Sequence, residues 1–150
     1  HLTNSKRPIH TPEDMKGIKI RTMGLDTHKA IITAMGGQPA AISWSEVYTA
    51  LQTGVADGQM NPIPIIAFAK FQEVQKYLTL SGHIFAPYVW TMNDKFWNSL
   101  SDSEKEVVTY AAQSAIVAGR GMGRVIEASD RCLKELSQTM EVNALTTDEE

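Results

Sequence analysis

Three side chains in this sequence have the types and spacing to hold a small acid. Arg21 lies near the carboxyl end of a strand pattern over Lys16 to Met23, where Ile18, Ile20 and Thr22 alternate with Lys19, Arg21 and Met23. Open α/β sheets bind ligands at that end of their strands, and a guanidinium can grip a carboxylate through two parallel charge-assisted bonds. The alternative is a solvated strand-end arginine pairing with Glu13 or Asp14. Asn61 follows Asp57-Gly58-Gln59-Met60 at the equivalent end of another strand; its amide could meet a polar ligand or cap the next helix. Trp44, where a strand gives way to a helix, could wall a pocket or simply pack. A cation, an amide and an aromatic plate brought to one edge would make a small-acid site.

Other chemistry is poorly served. His1, His10, His28 and His83 lack metal-ligand spacing, and Cys132 has no evident histidine partner. Gly119-Arg120-Gly121-Met122-Gly123 follows a helical pattern rather than a strand and lacks a phosphate loop's full spacing. Asp57 and Glu46, the carboxylates nearest Arg21, fit structural roles better than catalytic ones. We therefore expect no catalytic residues, no metal and no cofactor.

The elements that would position these groups read as α/β with a mainly parallel sheet. A helix is expected over Asp26 to Met35, closed by Gly36-Gly37, then strands over Gln38 to Ile42 and Val55 to Met60. Between them Ser43-Trp44-Ser45-Glu46 has the form of a capping box that opens a helix ending at Gly54. Pro62 to Phe71 reads as helical, and Tyr77 to Ser81 and Ile84 to Met92 as strands. After a short helix over Asn93 to Leu100, the capping box Ser101-Asp102-Ser103-Glu104 opens a helical pattern running to about Met140. Such a helix would span roughly 60 Å, too long for one lobe, so a bend is expected at Gly119, Gly121 and Gly123.

Composition sets outer bounds. The 150 residues carry 14 basic and 17 acidic side chains, net −3, which argues against nucleic acid or an anionic membrane surface as the main partner. No apolar run approaches a membrane span, and the single cysteine excludes an internal disulfide. The chain opens on His1-Leu2-Thr3 and ends on the acidic stretch from Thr146. Neither end carries a closing cap or turn, so a piece of a longer protein is expected.

The runs KGIKIRTM, PAAISWSEVYTALQTGVADGQMNP and KFQEVQKYLTLSGH resemble the substrate-binding proteins of TRAP (tripartite ATP-independent periplasmic) transporters, of the dicarboxylate-binding type. The likeness runs from about Asn4 to the end of the chain. It implies a periplasmic binding protein type II-like fold with two α/β lobes, about twice this length, that captures a small organic acid and passes it to the TRAP membrane subunits. Residues 1–86 and 127–150 would belong to the C-terminal lobe, and 87–126 would cross to a lobe this chain lacks, with a crossing strand and a long bent helix. By position, Arg21 matches the family arginine that pairs with the ligand carboxylate, Asn61 the asparagine of the DGQENP motif, and Trp44 an aromatic that packs on the ligand. Tyr88, just past the crossing, is a further candidate. Met60 stands where that motif has Glu, Gly24 offers no side chain where some members place a polar one, and His1 falls where some have a second arginine. The rival reading is a small α/β enzyme or ligand-sensing domain acting on a carboxylate. With the second lobe absent, residues 87–126 would expose apolar surface, and the fragment would self-associate.

Overall fold

Alternating apolar residues and glycine-closed helices give a six-stranded mixed sheet in a computed structural model that describes residues 1–146, without the side chains of 127 and 128. The strands are β1 (Leu2–Asn4), β2 (Lys19–Thr22), β3 (Gln38–Ala41), β4 (Gly58–Met60), β5 (Tyr77–Leu80) and β6 (Glu141–Ala144), in the order β3-β2-β4-β1-β5-β6. β2 pairs in parallel with β3 and β4, and β5 with β6, whereas β1 runs antiparallel to both β4 and β5. The expectation of a mainly parallel sheet did not include β1 or β6. β1 has only three residues, all buried, and no alternation marks a strand whose two neighbours cover it on both sides.

Helices α1 (Asp26–Ala34), α2 (Val47–Gln52), α3 (Ile63–Phe68) and α6 (Arg131–Leu136) pack with the sheet. One core gathers Val47, Leu51, Ile66, Phe71, Leu78 and Leu136; the other gathers Leu2, Met15, Ile18, Ile20, Ile32 and Met60. Gly36 ends α1 at φ +89°, and its pro-L position already faces the Pro12 carbonyl oxygen at 2.9 Å, so glycine is required there on both counts.

The chain divides into two units: one made of His1–Phe85 with the chain from Arg131 onward, the other of Ala86–Asp130. The second holds α4 (Asp94–Ser99) and α5 (Asp102–Ala128). Asn93 caps α4 by accepting from the Phe96 N–H at 3.1 Å. Ser101 and Glu104 form the expected capping box on α5: the Ser101 N–H donates to Glu104 at 2.8 Å. No described residue of 86–130 is buried.

Four expectations are corrected. Residues 84–92 form no strand, because the described residues offer their backbone no sheet neighbour. The long helical pattern does not break at the glycines: α5 runs on through Gly119, Gly121 and Gly123, and the interruption comes at Asp130, held at φ +49°. Cys132 consequently lies in α6, not in the long helix. At Ser43 the hydroxyl donates to the Glu46 carboxylate and accepts no backbone N–H, so a short 3-10 turn over Trp44–Glu46 precedes α2 in place of a capping box. The acidic stretch after Thr146 lies outside the described residues.

Candidate functional site

Register places the site. Across the sheet, Ala40, Arg21, Gln59, Thr3, Leu78 and Val142 stand opposite one another in a single row, on the face that carries the Leu78 core. Period-2 alternation puts Arg21 and Gln59 on one side of β2 and β4 while Ile20 and Met60 turn to the other core. A polar stripe therefore crosses the middle of an apolar sheet, and polar groups buried this way need partners.

Arg21 is only 5% exposed. Its Nε donates to the Ile42 carbonyl at 2.8 Å, and its guanidinium carbon lies 5.9 Å from the centre of the Trp44 ring. Neither Glu13 nor Asp14 pairs with it. Asp14 instead accepts from the backbone N–H groups of His10 and Thr11, each at 3.0 Å, which holds its carboxyl below the usual range. Among the described residues no carboxylate lies within ion-pairing distance of Arg21, and both terminal nitrogens have no hydrogen-bond partner. Burial pushes the guanidinium pKa down from its ordinary value, yet a group of this basicity stays charged.

Trp44 is 49% exposed and packs edge-on against Phe71, ring centroids 5.8 Å apart, so it is anchored at one side and open at the other. Asn61 does not cap α3; Pro62 occupies the cap position without a side-chain bond. Its amide nitrogen donates instead to the Gln59 side-chain oxygen. Two backbone bonds, each 3.1 Å, tie Asn61 to His1 at the start of β1. Arg21, Trp44 and Asn61 thus sit at one edge of the sheet in the first unit, while Tyr88 belongs to the second unit and is 81% exposed.

Gln59, Thr3 and Gln75, behind Asn61, were not singled out from sequence. Gln59 Nε2 donates to the Thr3 hydroxyl at 2.9 Å, and that hydroxyl donates to Gln75 Oε1 at 2.9 Å. The signal for Gln59 was available, two residues before Asn61 on an alternating strand; nothing local marks Thr3 or Gln75. His83 keeps a buried, unpartnered Nε2 and has its pKa lowered to about 4, chiefly by burial. Among the described residues no cluster of metal-ligating side chains occurs, and no helix is long and apolar enough to cross a membrane. The two carboxylates that the sequence places nearest Arg21 are engaged: Asp57 accepts from the Lys19 N–H at 2.9 Å and pairs with Lys6 at 3.2 Å, and Glu46 accepts from Ser43.

Comparison with known proteins gives these residues a context. A solute-binding protein of Verminephrobacter eiseniae is 40% identical over 120 residues, covering 80% of this chain and 36% of that protein. Two solved structures superpose on 99% of the chain. One is a TRAP periplasmic solute-binding protein from Polaromonas sp. JS666 bound to D-erythronate (TM-score 0.89, 40% identity, 49% of that chain). The other is one from Sulfurospirillum deleyianum with bound succinate (TM-score 0.93, 34% identity, 49% of that chain). The chain spans less than half the length of each of these relatives. The family described as bacterial extracellular solute-binding protein, family 7, matches residues 1–150, and the chain belongs to that family.

Proposed function

We propose that this chain is the greater part of the C-terminal lobe of a two-lobed periplasmic solute-binding protein, that Arg21 seats the carboxylate of a small organic acid, and that the loaded protein delivers it to TRAP membrane subunits. The observation that carries the reading is Arg21 itself: a buried cation with one nitrogen tied to the Ile42 carbonyl and no carboxylate among the described residues to neutralise it. A buried charge is ordinarily paired, so an anion from outside the chain supports the arrangement best. The half-open Trp44 ring supplies an apolar wall beside it, and Asn61 a polar contact. Tyr88, in the second unit, is a further candidate ligand contact on the family resemblance alone. Against the rival enzyme reading, Asp57 and Glu46, its candidate carboxylates, are already engaged.

The exposed apolar residues of 87–126 support assigning that segment to a second lobe. Titration calorimetry of the full-length protein against D-erythronate and succinate tests the function: binding of an acid in a one-to-one ratio is expected, and turnover without saturable binding would refute it.

A further inference from the structure

Trp44 stands at the open edge of the site, yet its ring rests on a residue closed off from solvent. Phe71 is 1% exposed and belongs to the core that gathers Leu78 and Leu136. A turn brings it there. Two residues past α3, Lys70 takes the left-handed conformation at φ +54°, and a short 3-10 turn over Phe71–Glu73 follows. A residue other than glycine keeps that φ only where its surroundings determine it. The Glu73 N–H donates to the Lys70 carbonyl at 3.1 Å and the Val74 N–H to the Phe71 carbonyl at 3.0 Å, which closes the turn. The Phe71 ring then meets the indole edge-on, with centroids 5.8 Å apart and planes inclined at 62°. In such a pair the positive rim of one ring faces the negative face of the other, so tilt is fixed as well as position. The backbone around Trp44 is held separately, by the Glu46 N–H on the Ser43 carbonyl at 3.0 Å. A backbone bond does not choose among an indole's rotamers, whereas a ring contact of fixed inclination does.

We propose that Phe71 is a positioning residue for the acid site: it holds the Trp44 indole at the tilt that walls an acid on Arg21, so that the ring is ordered before the acid arrives. The proposal rests on the acid-binding reading above and extends the site to a core residue that touches no ligand. About half of the indole surface is open, and a side chain so exposed would otherwise lose rotamer freedom on docking. A ring already ordered avoids that cost. The Arg21 guanidinium carbon lies 5.9 Å from the ring centre, so a change of tilt also changes the apolar face beside the cation. Leucine at position 71 would fill much of the core volume but has neither rim nor face to hold an indole. The tie depends on the aromatic ring and not on apolar volume alone.

The test is a double-mutant cycle in the full-length protein, titrated calorimetrically with D-erythronate and with succinate. Phe71→Leu should weaken whichever acid binds by about 3-fold, and by no more than Trp44→Ala does, since it acts only through that ring. In a Trp44→Ala background, Phe71→Leu should change the affinity by less than about 1.5-fold. Leu136→Ala, a truncation in the same core, should lower stability at least as much and leave the affinity of the folded protein unchanged. With Trp44 as the only tryptophan, the fluorescence anisotropy of the ligand-free protein should fall in Phe71→Leu and hold in Leu136→Ala. Equal losses of affinity in both backgrounds, or an unchanged anisotropy in Phe71→Leu, overturn the proposal while acid binding stands. Should Phe71→Leu fail to fold, the wild type still reports. Cross-relaxation between the indole and Phe71 ring protons should persist in the acid-bound protein, and its loss there overturns the proposal. If neither acid binds the wild type, the acid-binding reading falls and takes the proposal with it.

Discussion

Arg21 on β2 and Ile42, just past the end of β3, are joined by one bond, Nε to carbonyl oxygen at 2.8 Å, and this bond fixes the plane of the guanidinium. Only the two terminal nitrogens remain for a ligand, side by side as a carboxylate requires. Arg21→Ala in the full-length protein should therefore cost about 2–5 kcal/mol of binding, some 30-fold to several thousand-fold in Kd. Arg21→Lys should recover only part, since an ammonium cannot hold Ile42 and fork a carboxylate at once. Calorimetric titration with the bound acid gives the answer; equal affinities of wild type and Arg21→Ala would end this account of the site.

Trp44 stands beside that guanidinium with one edge on Phe71 and about half its surface open. An indole in this position changes environment when an acid docks on Arg21. In a full-length protein whose other tryptophans, including Trp90 and Trp97, are replaced by phenylalanine, ligand should shift the Trp44 emission to shorter wavelength. Trp44→Ala should weaken binding by roughly 1 kcal/mol through the lost cation–π and apolar contact. Unchanged emission on saturation would place the ring outside the pocket.

The parts of this fold legible in the sequence are those decided by neighbours along the chain. β2 shows in the alternation around Ile18 and Ile20, and α1 in its spacing and its glycine stop, because side-chain period and backbone permissiveness are local facts. β1 and β6 are decided by partners far away: Leu2 pairs with Met60 and Thr79, and Val142 with Leu78. The strand expected at 84–92 is the converse, an apolar run without a neighbour to complete it. The site divides likewise. Arg21, Trp44 and Asn61 announce themselves at strand ends, but Thr3 and Gln75 matter only because the sheet carries them to Gln59.

Gly58 separates β1 from a steric collision. A Cβ built there would fall onto the Thr3 carbonyl oxygen and come within 2.9 Å of both Asn4 Cβ and Ile20 Cδ1. Backbone cannot yield as a flexible side chain would. Gly58→Ala should cost about 3 kcal/mol of stability and disturb Gln59 next to it. Denaturant unfolding measures this; a loss under about 0.5 kcal/mol, typical of a surface substitution, would show that β1 and β4 do not approach so closely.

The second unit exposes Val89, Trp90, Phe96, Val107, Tyr110, Val117 and Val125, and none of its described residues is buried. Contiguous apolar surface beyond a few hundred Å² is normally covered. The isolated 150-residue chain should therefore self-associate, and Val107→Lys with Tyr110→Lys should reduce association without weakening the first unit. Light scattering across a concentration series checks this. A monomer at every concentration would mean that the segment covers itself.

His83 gives the protein an acid-sensitive element with a calculable direction. Burial, the largest cause, lowers its pKa from 6.5 to about 4. Its Nδ1 lies 2.7 Å from the Ser81 hydroxyl, while Nε2 is buried without a partner and cannot take a proton cheaply. The folded pKa is below the unfolded one, so in the window between them the unfolded chain binds more protons. Stability is then complete above about pH 6.5 and declines as the pH falls toward 4. The half-buried ring is partly screened, which limits the loss to roughly 1–2 kcal/mol. Asp14 and Glu104, whose carboxyls are held below their usual range by hydrogen bonds, destabilise the fold in the same direction but only at lower pH. His83→Gln should therefore flatten the unfolding profile between pH 6.5 and 4 and leave the steeper acid limb unchanged. Denaturant unfolding at half-unit pH steps distinguishes the two regions, and an unaltered slope between 6.5 and 4 in His83→Gln would show that this histidine is not the group being titrated.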